Sequence, residues 1–230
     1  MILDLKTSTY KPLGIAIGLY LVSVIILGFV NYKIEEKKLN GIVNQQLVMA
    51  ARNVPLILPK NFHHHAMKEK DLTVQQHLEN IEKLSQFTAL TNISYIYSLI
   101  KQGNNIVFTS SSATKEELIS GEGLSLFFSV YDDIDPRVYD VFKTEENIFL
   151  EYTDSWGTFR SVFLLQTAED GTRYVLAADM PISHIEMLLK NNLYKTLLIS
   201  LLFFLLIFPV FLIQTKKLAL RANALKDQVI

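Results

Sequence analysis

Two apolar runs, one near each end of the chain, constrain the fold more than any other feature. From Pro12 to Tyr32 no residue carries a charge, and Leu13 to Val30 is almost wholly apolar. Leu197 to Ile213 is broken only by Ser200 and Pro209, with Lys195 just outside, where its ammonium can reach polar surroundings. Leu13 to Val30 as a helix rises about 27 Å, enough to cross a hydrocarbon core. A core helix of a soluble protein keeps a polar face over that length, and these runs have none. The expected layout is a short N-terminus (1–11), a transmembrane helix (12–32), an intervening domain (33–192), a second transmembrane helix (193–214) and a tail (215–230) that begins a cytoplasmic helix.

The first run follows Lys6 and Lys11 but is longer than the apolar core of a cleaved leader. The residues after it, Asn31-Tyr-Lys-Ile-Glu-Glu-Lys-Lys, lack a small-x-small cleavage pattern, so it reads as an uncleaved anchor. Lys6 and Lys11 precede the first helix, and Lys216, Lys217, Arg221 and Lys226 follow the second. By the positive-inside rule both ends are cytoplasmic and the domain between faces outward. Lys33, Lys37 and Lys38 oppose this only mildly, because long domains translocate largely regardless of charge.

Half the residues are hydrophobic, and the net charge of −1 hides an uneven split. Residues 33–192 hold 15 Lys and Arg against 21 Asp and Glu, and the flanks hold 7 against 2. With no basic block in the domain, nucleic acid is not an expected partner. There is no cysteine, which removes disulfides, thiolate metal sites and cysteine nucleophiles. No nucleotide-binding, hydrolase or metalloprotease motif occurs, and the serines lack a base partner, so neither an enzyme nor a cofactor is expected in this span.

Within the domain, Leu39, Val43, Leu47, Ala50 and Val54 mark one face of a helix that continues outward from the membrane and should stop at Pro55. A stripe of this kind on a helix leaving the membrane suggests parallel homodimer packing. A loop with Pro59 and His63-His64-His65 follows. Thr73 and Gln76 form a capping box over a second helix that ends near Leu90. The pattern then turns to strands: Tyr95 to Ile100, a Gly103-Asn104 turn, and Asn105 to Thr109. Thr114 and Glu117 cap a short helix closed by Gly121, and Asp135-Pro136 opens another, through about Phe142. Asn147 to Tyr152 is a third strand, and Thr158 to Gln166 and Thr172 to Met180 form a hairpin around Ala168-Glu-Asp-Gly. Ser183 to Asn192 is helical and leads straight into the second membrane run.

This element order, with its membrane bracketing, resembles the Cache (extracytoplasmic PAS-like) sensor family in its single-module form. The strings Tyr95-Ile-Tyr-Ser-Leu, Phe108-Thr-Ser-Ser-Ser and Asp154-Ser-Trp-Gly-Thr-Phe-Arg-Ser look like those in periplasmic sensors of histidine kinases and diguanylate cyclases. The resemblance implies an α+β fold, a five-stranded antiparallel PAS-like sheet that cups a small ligand against short helices. It also implies pocket-lining roles for Tyr97 and Tyr131, and a ligand-binding role for Asp179 on the last strand. The arginine-tryptophan-tyrosine string of amino-acid-binding members is not present here in that order.

Trp156, the only tryptophan, stands four residues before Arg160. A ring beside a guanidinium is a common way to hold a carboxylate, and a core tryptophan with a surface arginine is the plainer reading. If Ala168 to Gly171 form a four-residue loop, Thr167 faces Thr172 and Arg160 lies opposite Asp179. That pair is either a cross-strand bridge or the two charges that grip a zwitterion. The candidate ligand-binding set is therefore Tyr97, Tyr131, Trp156, Arg160 and Asp179, for a small carboxylate or amino acid. The adjacent histidines cannot all reach one ion, and a solvated loop with no metal is expected there.

Past the second membrane run, Leu218, Ala222, Leu225 and Val229 have the spacing of a coiled-coil seam. The chain is expected to be a receptor input module in a bacterial inner membrane. It would relay binding through the second transmembrane helix to a kinase, cyclase or chemotaxis output not contained in this chain. The alternative is a stand-alone accessory protein that binds a protein partner through its outward domain. A transporter role has little support, because the membrane runs carry no central charge.

Overall fold

The computed structural model describes residues 2–66, 68–144 and 146–227, with the backbone alone for 2–13, 222–223 and 225–227. In chain order the first elements are α1 (Ile2–Ile57), α2 (Phe62–His65), α3 (Val74–Thr88), β1 (Tyr95–Gln102) and β2 (Asn105–Ser111). They are followed by α4 (Lys115–Ser120), α5 (Val138–Thr144), β3 (Ile148–Asp154), β4 (Gly157–Thr167), β5 (Arg173–Pro181) and α6 (Ile182–Asp227). The chain forms two units, Leu39–Glu186 and Met1–Lys38 with Met187–Ile230.

In the unit built from the two chain ends, α1 and α6 are long and apolar enough to cross a membrane, as the sequence predicts. Their large side chains point outward: Ile25 is 70% exposed and Leu198 68%. Lipid tolerates such a surface and water does not. Polar contacts tie the two helices together. The Tyr20 hydroxyl donates to the Ser200 carbonyl, and Asn31 Nδ2 donates to Thr196 Oγ1 at 2.7 Å. Leu218 is exposed on α6, whereas the side chains of Ala222 and Leu225, and all of Val229, lie outside the described residues.

In the other unit, five antiparallel strands form one sheet in the order β2-β1-β5-β4-β3. With the long N-terminal helix, this is the α+β, PAS-like arrangement that the resemblance implies. One face carries Tyr97, Leu99, Val175, Ala177, Phe163 and Leu150, and the segment containing Tyr131, Ile134, Val138 and Val141 covers it. The other face carries Ile96, Ser98, Ala178 and Met180, with α3 packed on β1 and β2. Arg160 Nε donates to Asn44 Oδ1 at 2.8 Å, which places α1 against this second face.

Local signals in the sequence account for most element ends. Both capping boxes form, Thr73 with Gln76 and Thr114 with Glu117, and Gly121 closes α4 at φ 74°. Four expectations need correction. Pro55 does not stop α1, which runs to Ile57; the Leu58 amide still reaches the Val54 carbonyl at 3.1 Å, because proline removes only its own donor. The Asp135-Pro136 step is a turn ahead of α5, held by the Asp135 carboxylate on the Arg137 amide at 2.9 Å. The histidines are not a solvated loop: they form α2, and His63 is buried with its ring stacked 3.8 Å from that of Tyr174. Burial pushes the His63 imidazole down to about 3, with the neighbouring His64 adding to the shift, so the ring is neutral.

The fourth correction concerns the stripe on α1. Val43, Leu47, Ala50 and Val54 are almost wholly buried inside their own unit, so they are not free to pack against a second copy. Their burial ties α1 to the domain core. Leu47→Ala should destabilise the folded unit by about 2–5 kcal/mol, the usual cost of a cavity in a close-packed core. Leu56→Ala, at a side chain 80% exposed, should change stability by less than about 0.5 kcal/mol. Denaturant unfolding of the full chain, followed by Trp156 fluorescence, measures both. Equal effects at the two positions would contradict this packing.

Candidate functional site

The site is set by strand alternation on the covered face of the sheet. β1 pairs Tyr95 with Asp179 and Tyr97 with Ala177, and β4 pairs Ser161 with Asp179. Tyr95, Tyr97, Asp179 and Ser161 therefore share one face. β2 joins them through an irregularity. Ser98 pairs with Ser110 but Leu99 pairs with Phe108, which leaves Thr109 as an extra residue. This bulge lets Phe108 and Ser111, three positions apart, both line the same pocket.

The turn between β3 and β4 supplies the rest. Asp154 pairs with Gly157, leaving Ser155 and Trp156 at the tip. One Asp154 carboxylate oxygen accepts from the Trp156 amide at 2.9 Å and the Gly157 amide at 3.1 Å, and the other accepts from the Tyr131 hydroxyl. Gly157 has φ 149°, and a Cβ there would meet the Phe159 ring at 3.0 Å, so the turn needs glycine. Trp156 Nε1 donates to the Gly123 carbonyl at 2.9 Å, and the indole sits edge-on to Tyr131 with centroids 5.6 Å apart. Phe108 stacks on Tyr131 at 4.7 Å.

Hydroxyls and carboxylates meet at the floor. The Tyr97 hydroxyl donates to Asp179 at 3.2 Å, and the Tyr131 and Tyr152 hydroxyls lie 2.8 Å apart. Burial pushes the Tyr97, Tyr131 and Tyr152 phenols well above their ordinary range, and the charge of Asp179 adds to each, so all three stay neutral donors. Asp179 is 3% exposed. Its carboxyl is pushed up to about 7, by burial above all and by the nearby Asp154, against hydrogen bonds from Ser161 and Tyr97 that favour the ionised form. The gap left between these groups is about 10 Å³, room for about one water.

Four of the five residues expected from sequence thus come together: Tyr97, Tyr131, Trp156 and Asp179. Arg160 does not join them. The β4–β5 turn is one residue longer than expected. Ala168 N–H donates to the Thr172 carbonyl at 2.8 Å, and Gly171 stands at φ 87° between them. The ladder therefore pairs Thr167 with Arg173, Arg160 with Met180 and Ser161 with Asp179. A shift of one residue sends the side chain to the other face. There the Arg160 guanidinium binds Asn44 and, at 2.6 Å, Glu151. Neither a cross-strand bridge to Asp179 nor a shared grip on a zwitterion is possible. Sequence reasoning also passed over Tyr95, Tyr152 and Asp154, although each lies on the strand period or within a string already singled out.

A scan against protein-family models gives no match, and neither does a search of curated proteins. Solved structures that resemble the chain are sensory domains of bacterial chemoreceptors. The sensory domain of the Campylobacter jejuni chemoreceptor Tlp3 (CcmL) with isoleucine bound is 14% identical, with a TM-score of 0.45 over 75% of this chain and 64% of that one. The same receptor's domain with L-valine gives 14% and 0.45, covering 75% and 65%. The ligand-binding domain of the Pseudomonas aeruginosa amino acid chemoreceptor PctC with GABA gives 15% and 0.33, covering 65% and 66%. The chain thus spans about two thirds of the length of each. Likeness of this degree carries no ligand over to this chain, whose site rests on its own residues.

The raised Asp179 carboxyl makes a signed prediction. Asp179 holds its proton more tightly folded than unfolded, so its contribution to stability is full below about pH 4 and is lost as pH rises through about 7. Asp179→Asn cannot ionise. Measured by thermal unfolding of the full chain, the variant should gain stability relative to wild type between pH 5 and pH 8. A constant difference across that range would mean that Asp179 is not buried as a strained acid.

Proposed function

We propose that the chain is the input module of a transmembrane receptor, and that the pocket around Tyr97, Tyr131, Trp156 and Asp179 binds a small extracytoplasmic molecule. One observation carries this reading. Asp179, the buried carboxylate at the pocket floor, lies two residues before the end of β5 at Pro181, and α6 begins at the next residue. A ligand that draws on Asp179 therefore acts on the strand from which the exit helix starts. A cleft lined by Tyr95, Trp156, Phe159, Ile182 and Glu186 extends from the pocket residues to the first turn of α6. Because the gap among the rings holds only about one water, ligand entry must displace at least one ring. Trp156, half-buried at the hairpin tip, is the side chain placed to move. Binding and strand displacement are then one event, which is what a mechanical relay requires.

Under this proposal the protein sits in a bacterial inner membrane with both termini cytoplasmic, and the output lies on a domain outside this chain. Ser120 is exposed on the sensor unit and Leu220 is exposed beyond the second apolar run. In intact cells an impermeant thiol reagent should label Ser120→Cys and spare Leu220→Cys. The reverse pattern would invert the orientation.

The module acts as a parallel homodimer in this reading, through a stripe other than the one the sequence suggests. Ile42, Met49 and Leu56 are exposed at intervals of seven on α1, the period of a two-helix seam. Cysteines at these three positions should crosslink between copies in native membranes, whereas cysteines at Val43 and Leu47 should not. Crosslinking at none of the five would contradict the dimer.

The pocket itself is tested by Trp156 fluorescence, since the only tryptophan lines the site. Titrating the full chain in micelles with amino acids, short carboxylic acids and amines should give a saturable change for at least one class. Asp179→Asn should weaken that binding by about tenfold or more, the scale of a lost charge-assisted hydrogen bond. Arg160→Ala should leave it within about threefold, because the guanidinium lies on the far face. If Arg160→Ala weakened binding as much as Asp179→Asn, the ligand would sit elsewhere.

A further inference from the structure

The walls of the pocket are not equally fixed. Most of its lining stands on strands of the sheet, and Trp156 stands on the β3–β4 turn. Ser125 and Tyr131 come instead from the segment between α4 and α5. Tyr131 is anchored, with its hydroxyl bonded to Asp154 and 2.8 Å from that of Tyr152. Residues 121–130, ahead of it, are held more lightly. They run along the open edge of β2, the end strand of the sheet. There the Phe108 amide donates to the Ser129 carbonyl at 3.0 Å and the Phe128 amide to the Phe108 carbonyl at 2.8 Å. None of residues 121–130 is buried, and Leu126 is 55% exposed. Phe128 stands at φ 67°, a left-handed conformation that a bulky side chain disfavours. Few buried contacts and local strain mark the part of a fold that opens first.

Two side chains from outside this segment hold it down. Trp156 Nε1 donates to the Gly123 carbonyl at 2.9 Å, and His77 Nε2 donates to the Ser125 carbonyl at 3.2 Å. The capping box of Thr73 and Gln76 sets the first turn of α3, and His77 follows directly on it. The His77 ring is 3% exposed and lies 6.1 Å from that of Phe127. Burial lowers its imidazole below the ordinary range, so the ring is neutral at pH 7. A carbonyl only accepts, so Nε2 carries the proton and Nδ1 is left buried with no partner among the described residues. A buried imidazole with one nitrogen unpaired costs free energy that an apolar side chain would not. Its one side-chain hydrogen bond goes to a residue that lines the pocket.

We propose that residues 121–130 are a strap that lifts to admit the ligand, and that His77 is the positioning residue that holds it closed. This rests on the pocket being the ligand site. The gap among the rings holds about one water, so something in the lining has to give way. Lifting the strap about its fixed end at Tyr131 takes Ser125 off the pocket and frees the Trp156 indole from Gly123. Movement of Trp156 breaks the same bond from the other side. The His77 contact and the pairing with Phe108 are then the ties that remain to be broken. The strength of the His77 hydrogen bond therefore sets how often the pocket opens, with no contact between His77 and the ligand.

The test follows the full chain in micelles without any ligand, so its failure is distinct from failure of the ligand titrations. Hydrogen exchange reads the Phe128 and Ser129 amides in the strap, with the β4–β5 ladder as the control. Opening of the pocket itself is read by labelling Ser111→Cys with a small neutral thiol reagent, since Ser111 is a buried lining residue and the chain has no cysteine. His77→Phe should speed both strap exchange and labelling by about fivefold, the scale of one lost hydrogen bond. Ladder exchange should stay within about twofold. His77→Gln, whose side-chain amide still donates, should stay close to wild type in both readouts. His77→Leu takes the place of the phenylalanine variant if that one does not fold. Strap amides that exchange no faster without the imidazole, or a glutamine variant as fast as the apolar one, overturn His77 as the latch. Strap and ladder amides speeding together overturn it as well, because His77 is then an ordinary core residue. Faster strap exchange with unchanged labelling of Ser111→Cys overturns the strap as the way in and leaves the pocket standing.

Discussion

The ladder between β4 and β5 holds nine residue pairs, from Phe159 with Pro181 to Thr167 with Arg173, and the site depends on its register. Because side chains alternate, the same pairing sends Ser161 and Asp179 toward the covered face and Arg160 and Met180 toward α1 and α3. A slip of one residue would exchange these sets, placing an arginine in the pocket and an aspartate against an apolar helix stripe. Gly171, at φ 87°, adds one residue between the Ala168 and Thr172 backbone partners and fixes the phase of everything below it.

With that phase set, the rest of the site is determined at short range. β1 inserts between β5 and β2 and brings Tyr95 and Tyr97 beside Asp179. The bulge at Thr109 turns both Phe108 and Ser111 inward. Its cost is local, since Thr109 and Ser110 both share hydrogen bonds with Ser98, at 2.6 and 2.8 Å, on the buried opposite face. Asp154 organises the tight turn that holds Trp156 over the rings. The pocket thus gathers groups from four strands and the segment between α4 and β3. It keeps one carboxyl, Asp179, in surroundings that favour its neutral form. Such an arrangement lowers stability wherever the carboxyl ionises.

Much of this was legible in the sequence, and the misses have physical causes. The membrane helices were plain because no other solution hides so many apolar side chains. The capping boxes at Thr73 and Thr114 were plain because their chemistry is local. Tyr97 and Tyr131 come from family resemblance, Trp156 from its spacing to Arg160, and Asp179 from the resemblance and from a pairing with Arg160 that the ladder does not make, not from contacts, which sequence does not display. Arg160 was misplaced by one residue of turn length, although the glycine ending Ala168-Glu-Asp-Gly is the residue a three-residue hairpin with a left-handed position requires. The stripe on α1 was seen correctly as apolar but given the wrong partner. Periodicity reports that a face is covered, and it does not say whether the cover is the protein's own sheet or a second copy. His63 was missed for the same reason, since its stacking on Tyr174 joins residues far apart in the chain.

The register is tested most directly by a double-mutant cycle between Arg160 and Asp179, using Arg160→Ala and Asp179→Asn singly and together in the full chain. With the two side chains on opposite faces, their effects on unfolding free energy should add to within about 0.5 kcal/mol. A parallel cycle of Arg160→Ala with Glu151→Ala should show a small favourable coupling, up to about 1 kcal/mol for a pair open to solvent on one side. A coupling well above about 1 kcal/mol between Arg160 and Asp179 would mean that the two charges meet across the ladder. It would contradict the register, and with it the site.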